Sequence, residues 1–200
     1  MAERLMGEKG YVGTPVSAIC KEVGVAPTSL YWHFGSKEGL LASVMERGAT
    51  RWFAALPRWE DLTGDAEVRM AAIQRGGAAA VGDHPIFLRL FYMLALEGTA
   101  DEVASELVQR VRGRAVSYFA DAITAMLVRS VEPEIARAAA GELAKFAVAF
   151  SDGCFFAAQL EPDQVDLQRM YADLITALFA LAPAAIDRAR RSNEFTTQEK

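Results

Sequence analysis

Gly24-Val25-Ala26-Pro27-Thr28-Ser29-Leu30-Tyr31-Trp32-His33-Phe34-Gly35-Ser36-Lys37-Glu38-Gly39-Leu40-Leu41 decides the reading of this chain. Gly24 and Gly35-Ser36 break the helical pattern on either side of a short segment that begins at Pro27, a residue preorganised for the first helical position. Leu30 and Phe34 fall four apart and mark its inner face. Ser36 is placed to cap the next helix, which carries Leu40, Leu41 and Val44 inward. Upstream, Thr14-Pro15 reads as another helix start, with Thr14 at the cap. Val16, Ile19, Cys20 and Val23 then recur at i, i+3, i+4 and i+7. Two short helices joined by a tight glycine-containing turn, with a third behind, make a helix-turn-helix bundle.

In such a bundle the second helix of the pair enters the major groove of DNA. Its outward positions here are Pro27, Thr28, Ser29, Tyr31, Trp32 and His33. The hydroxyls of Thr28 and Ser29 suit phosphates or base edges, Tyr31 and His33 can donate to phosphate oxygens, and Lys37 adds a cation one turn on. Thr14 stands at a helix N-terminus, where backbone N–H groups favour an anion.

The run from Gly24 to Leu41, with Gly10-Tyr11, Thr14, Ile19 and Val23 before it, resembles the DNA-binding signature of the tetracycline-repressor (TetR) family. The likeness covers roughly residues 5–48. It implies that Thr28, Ser29, Tyr31 and His33 face DNA, that Lys37 contacts phosphate, and that Thr14 and Ser17 lie near the backbone. Two departures stand out. Ala26 occupies a position where the family carries a capping side chain, so Pro27 alone defines the helix start. The first helix, Ala2 to Glu8, is short where family members carry further and often basic residues, as from a late start codon or a trimmed chain.

The remaining residues read as helix throughout, at about 65–82, 85–97, 101–130, 132–160 and 163–182. The breakers are Asp83-His84-Pro85, Gly98-Thr99, Glu132-Pro133 and Glu161-Pro162-Asp163. The fold class is therefore all-α. A helix-turn-helix domain spans 1–48 and a helical sensing and dimerising domain spans 49–200. Leu167, Met170, Tyr171, Leu174, Ile175 and Leu178 form a continuous stripe on the last helix. The helix before it is apolar on more than one face, which asks for cover by a second subunit. The basic tail at Arg188, Arg190 and Arg191 reads as solvated and frayed.

By resemblance, the second domain holds a small-molecule effector, apolar or aromatic, among Phe87, Phe91, Tyr92, Tyr118, Phe119, Phe155 and Gln159. Each of these also reads as ordinary core. The expected assembly is a cytoplasmic homodimer on palindromic operator DNA, acting as a repressor.

Composition permits this reading without carrying it. The net charge is −5, yet residues 1–53 hold six Lys/Arg against five Asp/Glu, leaving +1 there and −6 beyond. No stretch near 20 residues is free of charged or polar interruption, so no membrane span is expected. Cys20 and Cys154 stand apart, with no metal-ligand spacing, and no metal or other cofactor is implied. Catalysis would need one of them beside His33 or His84, and paired carboxylates or a phosphate loop are missing. A non-enzymatic regulator is expected. The alternative is a helical ligand-binding or protein-interaction module with a weakened DNA-binding head.

Overall fold

The computed structural model describes residues 1–96 and 102–198, with side chains described as far as residue 194. Among these residues there are nine α-helices, one short 3-10 turn and no strand. The helices are α1 (Ala2–Lys9), α2 (Val16–Val23), α3 (Pro27–Phe34), α4 (Lys37–Ala55), α5 (Ala66–Asp83), α6 (Pro85–Leu96), α7 (Glu102–Leu127), α8 (Pro133–Leu160) and α9 (Leu167–Gln198). The fold is all-α, as expected. The break expected at Gly98-Thr99 lies outside the described residues.

The chain divides into two compact units, residues 1–55 with 83–112, and residues 56–82 with 113–200. The first unit differs from the sequence-read head domain, because α6 and the start of α7 join it. Its core is built from Leu5 and Met6 of α1, Ile19 and Cys20 of α2, Leu30 of α3, Leu41 and Met45 of α4, and Phe87 and Leu90 of α6, all buried. Two glycines make the helix junctions. Gly24 adopts φ 71° after α2 and Gly35 φ 76° after α3, a backbone region that side chains with a Cβ rarely adopt.

The second unit is organised around the α8–α9 pair. Ile135, Ala139, Ala140 and Leu143 of α8 pack with Ala185 and Ala189 of α9 and Ile123 of α7. Small residues at these positions let the two helix backbones approach closely. This packing also corrects the expected end of the last helix near 182. The helix continues through Pro183 to Gln198. An interior proline costs about 3 kcal/mol, and the residues beyond it, Ala185 and Ala189, are buried against α8. The tail residue Arg188 is held by Glu142 of α8, with its Nε 3.0 Å from Glu142 Oε1, so the expected fraying is corrected there as well.

A second correction concerns membranes. By length and composition alone α8 and α9 are each apolar enough to cross one. The scattered charges, such as Lys145 and Asp152 on α8, interrupt the sequence without removing its apolar character. Their apolar inner faces pack on each other, and a further stripe lies outside. Phe146, Ala149, Gly153, Phe156 and Leu160 are all exposed on α8, at helical spacing, and Phe179 on α9 is 59% exposed.

Candidate nucleic-acid interface

Helix α3 has a single fully buried side chain, Leu30, 5% exposed, which anchors it against α2 and α4. Pro27, Thr28, Ser29, Tyr31, Trp32 and His33 are all exposed, with Trp32 at 88%. An indole left in water on a short helix contributes nothing to folding, so this face is open to a partner. Phe34 is half-buried, with the His33 ring edge-on to it at 4.8 Å. That contact limits the directions His33 can take. The N-terminus of α3 is as expected: Ala26 supplies no side-chain cap and Pro27 opens the first turn.

Ser17 is exposed on the first turn of α2. Thr14 is placed differently from the expectation. Pro15, not Thr14, is the residue before the helix, and no side-chain cap forms. The Thr14 hydroxyl lies 2.7 Å from the Gly10 carbonyl oxygen and 3.1 Å from that of Leu5, and the residue is 1% exposed. Its side chain ties α1 to the loop before α2, and its hydroxyl is engaged there rather than at the surface.

Lys37 opens α4 and is half-buried. Its Nζ stands 4.5 Å from the centroid of the Tyr11 ring. The Tyr11 hydroxyl donates to Glu38 Oε1 at 3.2 Å. Ser36 caps α4 as expected, its Oγ accepting from the Gly39 N–H at 3.0 Å. Glu38 is held below the usual carboxylate range by its own backbone N–H, then by the hydroxyls of Ser36 and Tyr11 and the charge of Lys37. No sequence signal pointed to the Tyr11–Lys37–Glu38 cluster, because its members meet only through the tertiary fold.

Two other cations of this unit are already paired. Arg4 bonds Glu8 and Glu22, the latter at 2.8 Å, and Arg51 bonds Glu3. Beside them an apolar groove of about 410 Å³ runs along Ile19, Val23, Leu30 and Val44, with Ser29 and His33 on its edge.

The residues expected to line an effector site fall in both units. Phe87 and Phe91 are core of the first, with Tyr92 half-buried next to Phe91 at 5.1 Å between ring centres. In the second, Phe155 is buried, Tyr118 donates to the Pro57 carbonyl at 2.8 Å, Phe119 is half-buried and Gln159 is exposed. Burial raises the Tyr118 and Tyr171 hydroxyls well above the ordinary phenol value.

Residues 1–44 match the family described as bacterial regulatory proteins, tetR family. The match is confined to α1, α2, α3 and the first turns of α4. Similar solved structures span nearly the whole chain. Salmonella enterica GusR is 17% identical with a TM-score of 0.69, covering 91% of each chain. The Bacillus subtilis transcriptional regulator FadR, in complex with stearoyl-CoA, is 18% identical with a TM-score of 0.64, covering 88% of this chain and 93% of its own. AibR, in complex with isovaleryl coenzyme A and operator DNA, is 20% identical with a TM-score of 0.63, covering 89% and 94%. At such identities these likenesses establish the fold, a helix-turn-helix head followed by a helical C-terminal region. No curated protein matches the sequence.

Proposed function

We propose that this tetR-type regulator is a homodimeric repressor that binds palindromic operator DNA in the cytoplasm and is released by a small, largely apolar effector. The observation that carries the reading is the face of α3. Five polar or aromatic side chains, Thr28, Ser29, Tyr31, Trp32 and His33, stand in solvent around one buried leucine. Such a face is built to meet base edges and phosphates. The exposed stripe on α8 and α9 supports dimerisation, by joining these helices to their symmetry mates in a four-helix bundle. A two-fold dimer sets its two α3 helices about 34–36 Å apart, or a multiple of one DNA turn.

The effector is drawn to aromatic groups such as Tyr118, Phe119 and Phe155. The acyl-CoA ligands of FadR and AibR, bound by proteins of this fold, support an apolar group as the recognised part. A ligand that favours a conformer with another α3 spacing lowers operator occupancy, and a coupling of about 1–3 kcal/mol changes affinity roughly 5–150-fold.

The test is substitution on α3. Tyr31→Ala and His33→Ala should abolish binding to duplexes enriched from a random pool while leaving the thermal midpoint nearly unchanged. A large loss of stability would show that these side chains are core, and the interface would then lie elsewhere. The pairing of Arg4 and Arg51 with carboxylates favours one second reading, an interaction module whose head holds DNA weakly. Under it, association with partners would vary little with salt, whereas DNA binding falls steeply.

A further inference from the structure

Tyr11, 6% exposed and in the loop after α1, joins the cluster at the start of α4 through both its ring and its hydroxyl. Lys37 forms no ion pair among the described residues, even though Glu38 is its neighbour in sequence. Two contacts account for this. The Tyr11 ring lies under the Lys37 ammonium at 4.5 Å. The Tyr11 hydroxyl holds one oxygen of Glu38 at 3.2 Å. A cation over an aromatic face is attracted to it yet keeps its N–H donors free for an anion, which a carboxylate partner would occupy.

We propose that Tyr11 is a positioning residue for DNA binding: its ring orients the Lys37 ammonium toward a phosphate while its hydroxyl restrains Glu38 from closing a direct ion pair on that ammonium. The inference rests on the reading of the head as a DNA-binding surface. It adds a residue outside the helix pair that acts only through Lys37. The two halves of the side chain act separately. Tyr11→Phe keeps the ring and frees Glu38, while Tyr11→Leu removes both contacts and keeps an apolar core residue.

The experiment measures affinity and salt dependence for a duplex enriched from a random pool by the native chain. Variants Tyr11→Phe, Tyr11→Leu, Lys37→Ala, Glu38→Gln and the corresponding doubles are compared, with thermal unfolding followed in parallel. Lys37→Ala should reduce the slope of log K against log salt by about 0.9, the value for one phosphate contact. Tyr11→Leu should weaken binding about two- to fivefold, the scale of an exposed cation–π contact. It should have no further effect once Lys37 is alanine. Tyr11→Phe should also weaken binding, and adding Glu38→Gln should restore it, since no carboxylate then competes for the ammonium.

Equal losses for Tyr11→Leu with and without Lys37 would overturn the proposal, because Tyr11 would then act only as core. Failure of Glu38→Gln to rescue Tyr11→Phe would remove the restraining part. An unchanged salt slope in Lys37→Ala, with binding otherwise intact, would overturn the proposal through Lys37 while leaving the α3 interface standing. Loss of enrichment by the native chain would instead overturn the DNA-binding reading itself.

Discussion

Gly48 of α4 and the Phe87 ring of α6 approach so closely that a side chain at position 48 has no space. A Cβ there would press on Cδ2 of the ring and stand 3.0 Å from Cε2. Gly7 of α1 meets Ile86 in the same manner, with a Cβ 3.0 Å from Cγ2 and from the carbonyl oxygen. These glycines are what let α6 pack onto α1 and α4 within the first unit. Gly48→Ala should therefore destabilise the protein by about 1–3 kcal/mol, the cost of overpacking, despite alanine's better helix propensity. Gly141 of α8, with nothing within 4 Å of its would-be Cβ, is the control. Gly141→Ala should leave stability unchanged or raise it by up to about 1 kcal/mol. Denaturant unfolding of both variants checks the contrast.

Thr14→Val separates a structural role from a DNA contact. The substitution keeps the shape and strands the carbonyls of Gly10 and Leu5, at a cost of about 1–3 kcal/mol. The unfolding midpoint should fall, and DNA affinity of the folded fraction should stay close to native. A loss of affinity with no loss of stability would return Thr14 to the interface.

Neither cysteine should react with an alkylating reagent while the chain is folded. Cys20 and Cys154 are buried, at 3% and 0% exposed. Burial pushes the Cys154 thiol up to about 11 from an ordinary 9.0, so the folded state keeps its proton where the unfolded chain loses it. The stabilisation from this group is present below about pH 9 and is lost as pH rises from there towards 11. Mass spectrometry after brief alkylation at neutral pH, with and without denaturant, tests the burial. A denaturation series across that alkaline window tests the sign.

The outer stripe of α8 and α9 should carry the dimer. Phe156 and Phe179, 39% and 59% exposed, lie on it. Replacing both with glutamate should shift the sedimentation coefficient towards a monomer, because a buried interface would have to take up unpaired carboxylates. Val12, 74% exposed in the first unit, offers a control whose change to glutamate should leave the mass unaltered.

Elements marked by periodicity and breakers were legible in the sequence. The α2–α4 trio, the Ser36 cap and the inward Leu30 follow from local rules that the tertiary structure leaves intact. Contacts between segments distant in sequence were not legible. Thr14 before Pro15 has the form of a helix cap, yet its carbonyl partners sit on α1 and the loop after it. Pro183 and the arginines beyond it read as an ending, whereas Ala185 and Ala189 pack against α8 and Arg188 bonds Glu142 there. Gly48 and Gly7 look like weak points of helices until α6 is laid against them. The exposed face of α3 was legible because Leu30 alone is needed to seat it. The Tyr11 contact with Lys37 was hidden, since aromatic and cation belong to different segments.

Selection from a pool of random duplexes at two salt concentrations decides whether a dimer of this chain reads DNA through α3. A palindrome should be enriched whose half-sites lie one helical turn apart or a multiple of it, with affinity falling steeply as salt rises. A folded dimer that enriches no sequence at either salt concentration would contradict that reading.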